Sequence, residues 1–203
     1  MPLNLIITGV GGQGNVLASQ IVGRAAVHRD FKVTIGETFG LSQRGGPVMS
    51  HIRLSQESKY YGPLIPPNMA QIIIGLEPLE TMRILLEYGN EETIFIVNSR
   101  PIYPLNVIAG DVEYPGLDQI RSALNQTGER LYWLDATRRA LELGEPILLN
   151  MIMLGALCGL PNFPLDITDL RDTLKDFFPE SKLDVNYMAL DIGKEMVIKF
   201  ASG

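Results

Sequence analysis

The chain has 203 residues, 46% of them hydrophobic and 20% charged, with one cysteine and a formal net charge of −6. That length buries a substantial core, and the acidic balance excludes a general nucleic-acid binder, which needs a concentrated basic face. The lone Cys158 excludes an internal disulfide and cannot by itself hold an iron–sulfur cluster or a structural zinc.

Residues 3–8 form an apolar run that predicts a buried strand, and it feeds straight into Gly9-Val10-Gly11-Gly12-Gln13-Gly14. Residues 13–28 follow as a helix with the small residues Ala18, Ser19, Gly23, Ala25 and Ala26 on its packing side. A strand that passes through glycines into a helix is a phosphate-binding arrangement. The glycines permit positive φ and close backbone approach, and the helix start offers unpaired N–H groups and a positive dipole end. Gly9, Gly11 and Gly14 keep the G-x-G-x-x-G spacing of dinucleotide sites, in the right strand and helix context. The spacing points to a phosphate-bearing ligand without naming it.

Residues 32–36 read as the second strand. It opens into Gly36-Glu37-Thr38-Phe39-Gly40-Leu41-Ser42-Gln43-Arg44-Gly45-Gly46-Pro47, an acid, a hydroxyl, an amide and an arginine among four glycines. The C-terminal ends of parallel strands share one edge of a sheet, so this loop is expected beside residues 9–14. Arg44 can fork onto a phosphate or carboxylate, and the glycines free neighbouring N–H groups to do the same. The plainer reading is a surface pair between Glu37 and Arg44.

Residues 48–54 alternate apolar and polar side chains, and a turn at 55–58 predicts a hairpin into Lys59-Tyr60-Tyr61. Residues 72–75 and 93–97 are two further apolar strands, with a helix at 78–88 between them. A helix at 117–125 and a short strand at 131–134 come next. The remainder reads as helices at 146–160, 166–178 and 182–200, the middle one capped by Asp166 or Thr168. Strands of β-branched residues separated by helices predict an α/β domain with a largely parallel sheet, and the 48–61 segment adds an antiparallel insertion. The expected fold is a three-layer α/β/α, Rossmann-like domain with a mixed sheet, spanning residues 1–203.

No self-sufficient catalytic set stands out. His28 and His51 lack metal-ligand spacing, and Cys158 reads as a small buried core residue. Ser42 lacks the second glycine of a G-x-S-x-G nucleophile turn. Met1-Pro2-Leu3-Asn4 lacks the basic start of a signal peptide, and the apolar run 147–160 is too short to span a bilayer, so a cytoplasmic setting and no membrane contact are expected. A loop pair able to hold an anion, with no nucleophile, metal set or cluster, suggests one part of a larger enzyme.

The glycine loop 9–14, the helix with Ala25-Ala26 and the loop Ser42-Gln43-Arg44-Gly45-Gly46 together resemble the gamma subunit or domain of 2-oxoacid:ferredoxin oxidoreductases. The wording from Gly36 to Val48, followed by Ser50-His51-Ile52-Arg53, is most similar to the beta subunit of the indolepyruvate enzymes, which plays the gamma part there. Asn150-Met151, Met153-Leu154-Gly155-Ala156, Asn186, Ala189 and Gly193 extend the resemblance over most of the chain. The resemblance implies a complex that decarboxylates a 2-oxoacid on thiamine diphosphate, passes electrons through iron–sulfur clusters to ferredoxin, and releases an acyl-CoA. It places the thiamine diphosphate and the clusters on large partner subunits and associates the gamma part with coenzyme A. Ferredoxin is then an indirect partner, and a homodimer stays open. Carried across, the resemblance puts Gly9, Gly11, Gly12, Gln13, Gly14, Glu37, Ser42, Gln43, Arg44, Gly45 and Gly46 at the coenzyme or at the partner subunit. Several gamma subunits carry a glutamate and an alanine where this chain has Ser42 or Gln43 and Gly46, which favours the indolepyruvate-like branch and leaves the 2-oxoacid open.

A second reading is a free-standing NAD(P)-binding Rossmann-type protein with Glu37 on the adenosine ribose, which the distance from Gly14 to Glu37 suits. The crowded Gln43-Arg44-Gly45-Gly46 loop is foreign to such a site, and no hydride-handling residue is evident. A third reading gives the glycines only tight turns to make.

Overall fold

In the computed structural model, residues 1–40 and 46–201 are described. Six strands form one sheet in the order β2-β3-β1-β4-β5-β6. They are β1 (Leu3–Val10), β2 (Lys32–Phe39), β3 (Pro47–Ser55), β4 (Ile72–Gly75), β5 (Ile94–Asn98) and β6 (Arg130–Leu134). β1, β4, β5 and β6 are joined by parallel ladders, and β3 lies antiparallel between β1 and β2. The sheet is therefore mixed and largely parallel, as expected.

The strands feed two cores because successive side chains leave opposite faces of a sheet. Leu5, Ile7, Ile52, Ile74 and Ile96 join a core with α1 (Asn15–His28), α5 (Ala136–Glu142), α6 (Leu149–Cys158), α7 (Ile167–Leu174) and α8 (Glu180–Ala201). Ile6, Ile73, Phe95 and Val97 face the other way, onto α2 (Pro78–Tyr88) and α4 (Leu117–Thr127). The short α3 (Leu105–Ile108) buries none of its residues. On the first face every residue of α6 is buried. α6 and α8 approach so closely that a Cβ on Gly155 would lie 1.9 Å from the Leu190 carbonyl oxygen, so only glycine fits.

Several expectations need correction. The hairpin into Lys59-Tyr60-Tyr61 does not form. Ile52 on β3 already pairs with Leu5 on one side and Ile35 on the other, so both edges of β3 are taken. Tyr61 lies outside the sheet, its ring beneath the Arg53 guanidinium at 5.0 Å. The 146–160 helix is split, because Pro146–Leu148 is a tight 3-10 turn before α6. Asp166, not Thr168, caps α7: its carboxylate accepts the N–H groups of Thr168 at 2.8 Å and Asp169 at 3.2 Å. α3 and α5 had no counterpart in the sequence reading.

Candidate functional site

The C-terminal ends of β1, β4 and β5 meet at one edge of the sheet, where two side-chain amides tie the strand ends together. Gln13 accepts the Val10 N–H through Oε1 at 2.7 Å and donates from Nε2 to the Leu76 carbonyl at 2.9 Å. Asn98, the last residue of β5, donates to the same carbonyl at 3.1 Å and accepts the Thr137 N–H at 3.1 Å. Gly12 and Gly14 take φ of 97° and 81°, and Gly14 opens α1 with no side-chain hydrogen bond over the helix start. The first-turn N–H groups of a helix lack partners within it, and the dipole adds partial positive charge there.

Gly46 returns to this place. Its carbonyl accepts the Gly11 N–H at 2.9 Å, so the end of the loop after β2 sits beside the glycine loop as the shared-edge reasoning expects.

A cleft of about 700 Å³ opens beside these residues. Gly12, Gln13, Asn98, Arg100, Thr137 and Glu145 supply its polar lining. Ile102, Leu141, Ile147 and Leu149 supply apolar wall. That volume suits a drug-sized ligand or a portion of a larger cofactor, with an apolar wall for grip and a few polar groups for orientation. A smaller cavity of about 150 Å³ shares Glu145 and Ile147 with it and is lined by Asn150, Phe178 and Lys182 among others. Lys182 pairs with Glu145 at this boundary.

The wall at Ile102 is held by Glu77, which is 1% exposed. Glu77 caps α2 by accepting the Glu80 N–H at 2.8 Å, and it also accepts the Ile102 N–H at 3.3 Å and the Tyr114 O–H at 2.5 Å. Burial together with the bond to Glu77 pushes the Tyr114 phenol well above its ordinary pKa, so it stays a donor.

Of the residues singled out in the sequence, Gly12 and Gln13 line the cleft, while Gly9, Gly11 and Gly14 shape the turn beside it. Gly46 adjoins them. Glu37 does not line it. Its two carboxylate oxygens accept the buried hydroxyls of Ser19 at 2.7 Å and Ser50 at 2.6 Å, on the α1 face of the sheet. Both oxygens are thus engaged by buried hydroxyls, away from the cleft. Ser42, Gln43, Arg44 and Gly45 lie outside the described residues.

Sequence reading missed Asn98, Arg100, Thr137, Glu145 and Ile147 as cleft residues. Asn98 carried a usable signal, since it directly follows the strand expected at 93–97, at the edge where ligands bind. Among the described residues no group of three or more His, Cys, Asp or Glu side chains comes together, and no helix is long and apolar enough to cross a membrane.

Residues 4–196 match the family described as pyruvate ferredoxin/flavodoxin oxidoreductase. The chain belongs to this family. It is 34% identical over 199 residues to the indolepyruvate oxidoreductase subunit IorB of Thermococcus kodakarensis, covering 96% of this chain and 97% of that protein. The crystal structure of the pyruvate oxidoreductase subunit PORC from Thermotoga maritima superposes with a TM-score of 0.70 at 20% identity, over 96% of each chain. The 2-oxoglutarate:ferredoxin oxidoreductase from Magnetococcus marinus, solved with 2-oxoglutarate, coenzyme A and succinyl-CoA bound, superposes with a TM-score of 0.73 at 23% identity. The match covers 97% of this chain and 31% of that one. The resemblance to gamma-type subunits of 2-oxoacid ferredoxin oxidoreductases is thus borne out, and with it the role of an oxidoreductase subunit.

Proposed function

We propose that this chain is the subunit without thiamine or clusters in an indolepyruvate- or pyruvate-type 2-oxoacid ferredoxin oxidoreductase, and that its cleft receives part of coenzyme A. The observation that carries this reading is the uncapped start of α1, with Gly12 and Gly14 at positive φ, beside a largely apolar cleft of about 700 Å³. Support also comes from the Magnetococcus protein of like fold, which was solved with coenzyme A and succinyl-CoA.

On this reading, decarboxylation on thiamine diphosphate and electron transfer through iron–sulfur clusters to ferredoxin belong to the partner subunits. The residues here bind and orient. The N–H groups of Gly12, Gly14 and the first turn of α1 receive the coenzyme's phosphates, and Arg44 with the rest of the 42–46 loop adds a charge-assisted contact of about 1.5–3 kcal/mol. Arg100 offers a second cation in the cleft, and Ile102, Leu141 and Ile147 give the less polar part of the coenzyme an apolar wall.

Titration calorimetry tests the reading. Coenzyme A binds to the assembled complex and is weakened at least about tenfold by Arg44→Ala, with strong salt dependence. Mixed alone with indolepyruvate or pyruvate, thiamine diphosphate, coenzyme A and an artificial electron acceptor, the chain reduces nothing above blank. Micromolar binding of NADH with none of coenzyme A would install the NAD(P)-binding alternative instead.

A further inference from the structure

The segment from Ile102 to Leu117 is a strap that leaves large apolar side chains exposed among the described residues. α3 within it buries no residue, and Leu105 and Ile108, which share a face at i and i+3, are 81% and 69% exposed. A four-residue helix has no stability of its own, since nucleating a helix costs more than one turn returns. This one is held by its anchors. Glu77 accepts Ile102 N–H at one end and the Tyr114 hydroxyl at the other, and Tyr103 packs edge-on against Tyr114 at 5.1 Å. The strap therefore presents exposed Tyr103, Leu105, Ile108 and Val112 as a preformed apolar surface, next to the cleft that Ile102 lines. Apolar patches of this kind on soluble proteins mark contact sites.

Charge decides what covers it. Asp111, Glu113 and Asp118 flank the patch, all exposed. A second copy seated on the same face in a two-fold pair brings acid against acid, which disfavours self-association. An apolar surface rimmed by lysine or arginine is complementary. In the Magnetococcus oxidoreductase the fold shared with this chain occupies 31% of a longer polypeptide, so there it is built into a larger body.

We infer that the 102–117 strap is the docking surface for the thiamine-bearing large subunit, which meets it with an apolar patch rimmed by basic side chains and so covers the mouth of the cleft. This inference rests on the reading of the chain as a subunit of such a complex.

The test uses the purified chain and the purified large subunit, with complex formation followed by sedimentation velocity. Leu105→Asp combined with Ile108→Asp weakens association at least a hundredfold while circular dichroism and thermal unfolding stay unchanged, because neither side chain is buried. Leu86→Asp, at a site 80% exposed on α2, leaves association as it was. Amides of 105–112 gain protection from hydrogen exchange on complex formation. A double variant that associates like the wild type, with no added protection in the strap, overturns the docking surface and leaves the subunit reading standing. A wild-type chain that ignores the large subunit overturns both. Self-association that the double variant abolishes assigns the face to a second copy and overturns the partner inferred here.

Discussion

Gln13 and Asn98 donate to one oxygen, the Leu76 carbonyl, from opposite sides of the strand ends at 2.9 and 3.1 Å. Their own carbonyl oxygens take the backbone N–H groups of Val10 and Thr137. Two amides thus bind the glycine turn, the end of β4 and the start of α5 into one hydrogen-bonded floor under the cleft.

Removing one amide leaves donors and acceptors of this floor unpaired. Gln13→Ala strips the partner from the Val10 N–H and costs about 1–3 kcal/mol of stability, the usual penalty for orphaning a buried polar group. Urea unfolding of Gln13→Ala, Asn98→Ala and the double variant measures it. Because either amide alone still satisfies the Leu76 oxygen and only the double variant orphans it, the double variant loses more than the sum of the singles, and strict additivity contradicts a shared floor.

Gly155→Ala drives a Cβ to within 1.9 Å of the Leu190 carbonyl oxygen, a backbone atom that cannot swing aside. α6 and α8 must part, at a cost of about 1–3 kcal/mol. At this chain length each kcal/mol lowers Tm by about 2–4 °C. An unchanged Tm would mean the two helices have room that their spacing denies them.

His51 is fully buried between β1 and β2, with Nδ1 accepting the Ile65 N–H at 3.3 Å and its ring edge-on to Tyr88. Burial pulls its pKa below the ordinary 6.5, helped by Arg53 and opposed by Glu87. The unfolded chain therefore takes up the proton first. The stability due to neutral His51 is fully present above pH 6.5 and declines as pH falls through the window below it. Burial pushes Glu80 upward, which works in the opposite sense, so the difference between wild type and His51→Gln isolates the histidine. Thermal unfolding from pH 7.5 to 5 shows a steeper loss in the wild type, and parallel curves would remove His51 as its cause.

Cys158 is buried in α6, and burial pushes its thiol up to about 12. At pH 8 almost no thiolate forms, so a disulfide reagent labels the folded chain far more slowly than the urea-unfolded one. Equal rates would mean that the thiol reaches solvent without unfolding.

The parts of the fold legible in the sequence were those whose signal is local. The apolar run of β1, the spacing of Gly9, Gly11 and Gly14, and the apolar strands at β4 and β5 declare themselves within a few residues. Alternation along β3 announced a strand but not its neighbours, and the nearest candidate in sequence, Lys59-Tyr60-Tyr61, lost to β1 and β2. α3 was invisible because it has no buried side to impose a period. The cleft was half legible: its glycine turn is one continuous stretch, whereas Asn98, Thr137 and Glu145 come together only through the order of the strands.

Leu76 and Glu77 are consecutive, and each is a junction. The Leu76 carbonyl holds the floor of the cleft, and the Glu77 carboxylate holds both ends of the apolar strap. With one peptide bond between the two junctions, the strap and the cleft floor are anchored to adjacent residues of the same backbone. The outer surface and the cleft floor therefore share one mooring, the two residues that follow β4.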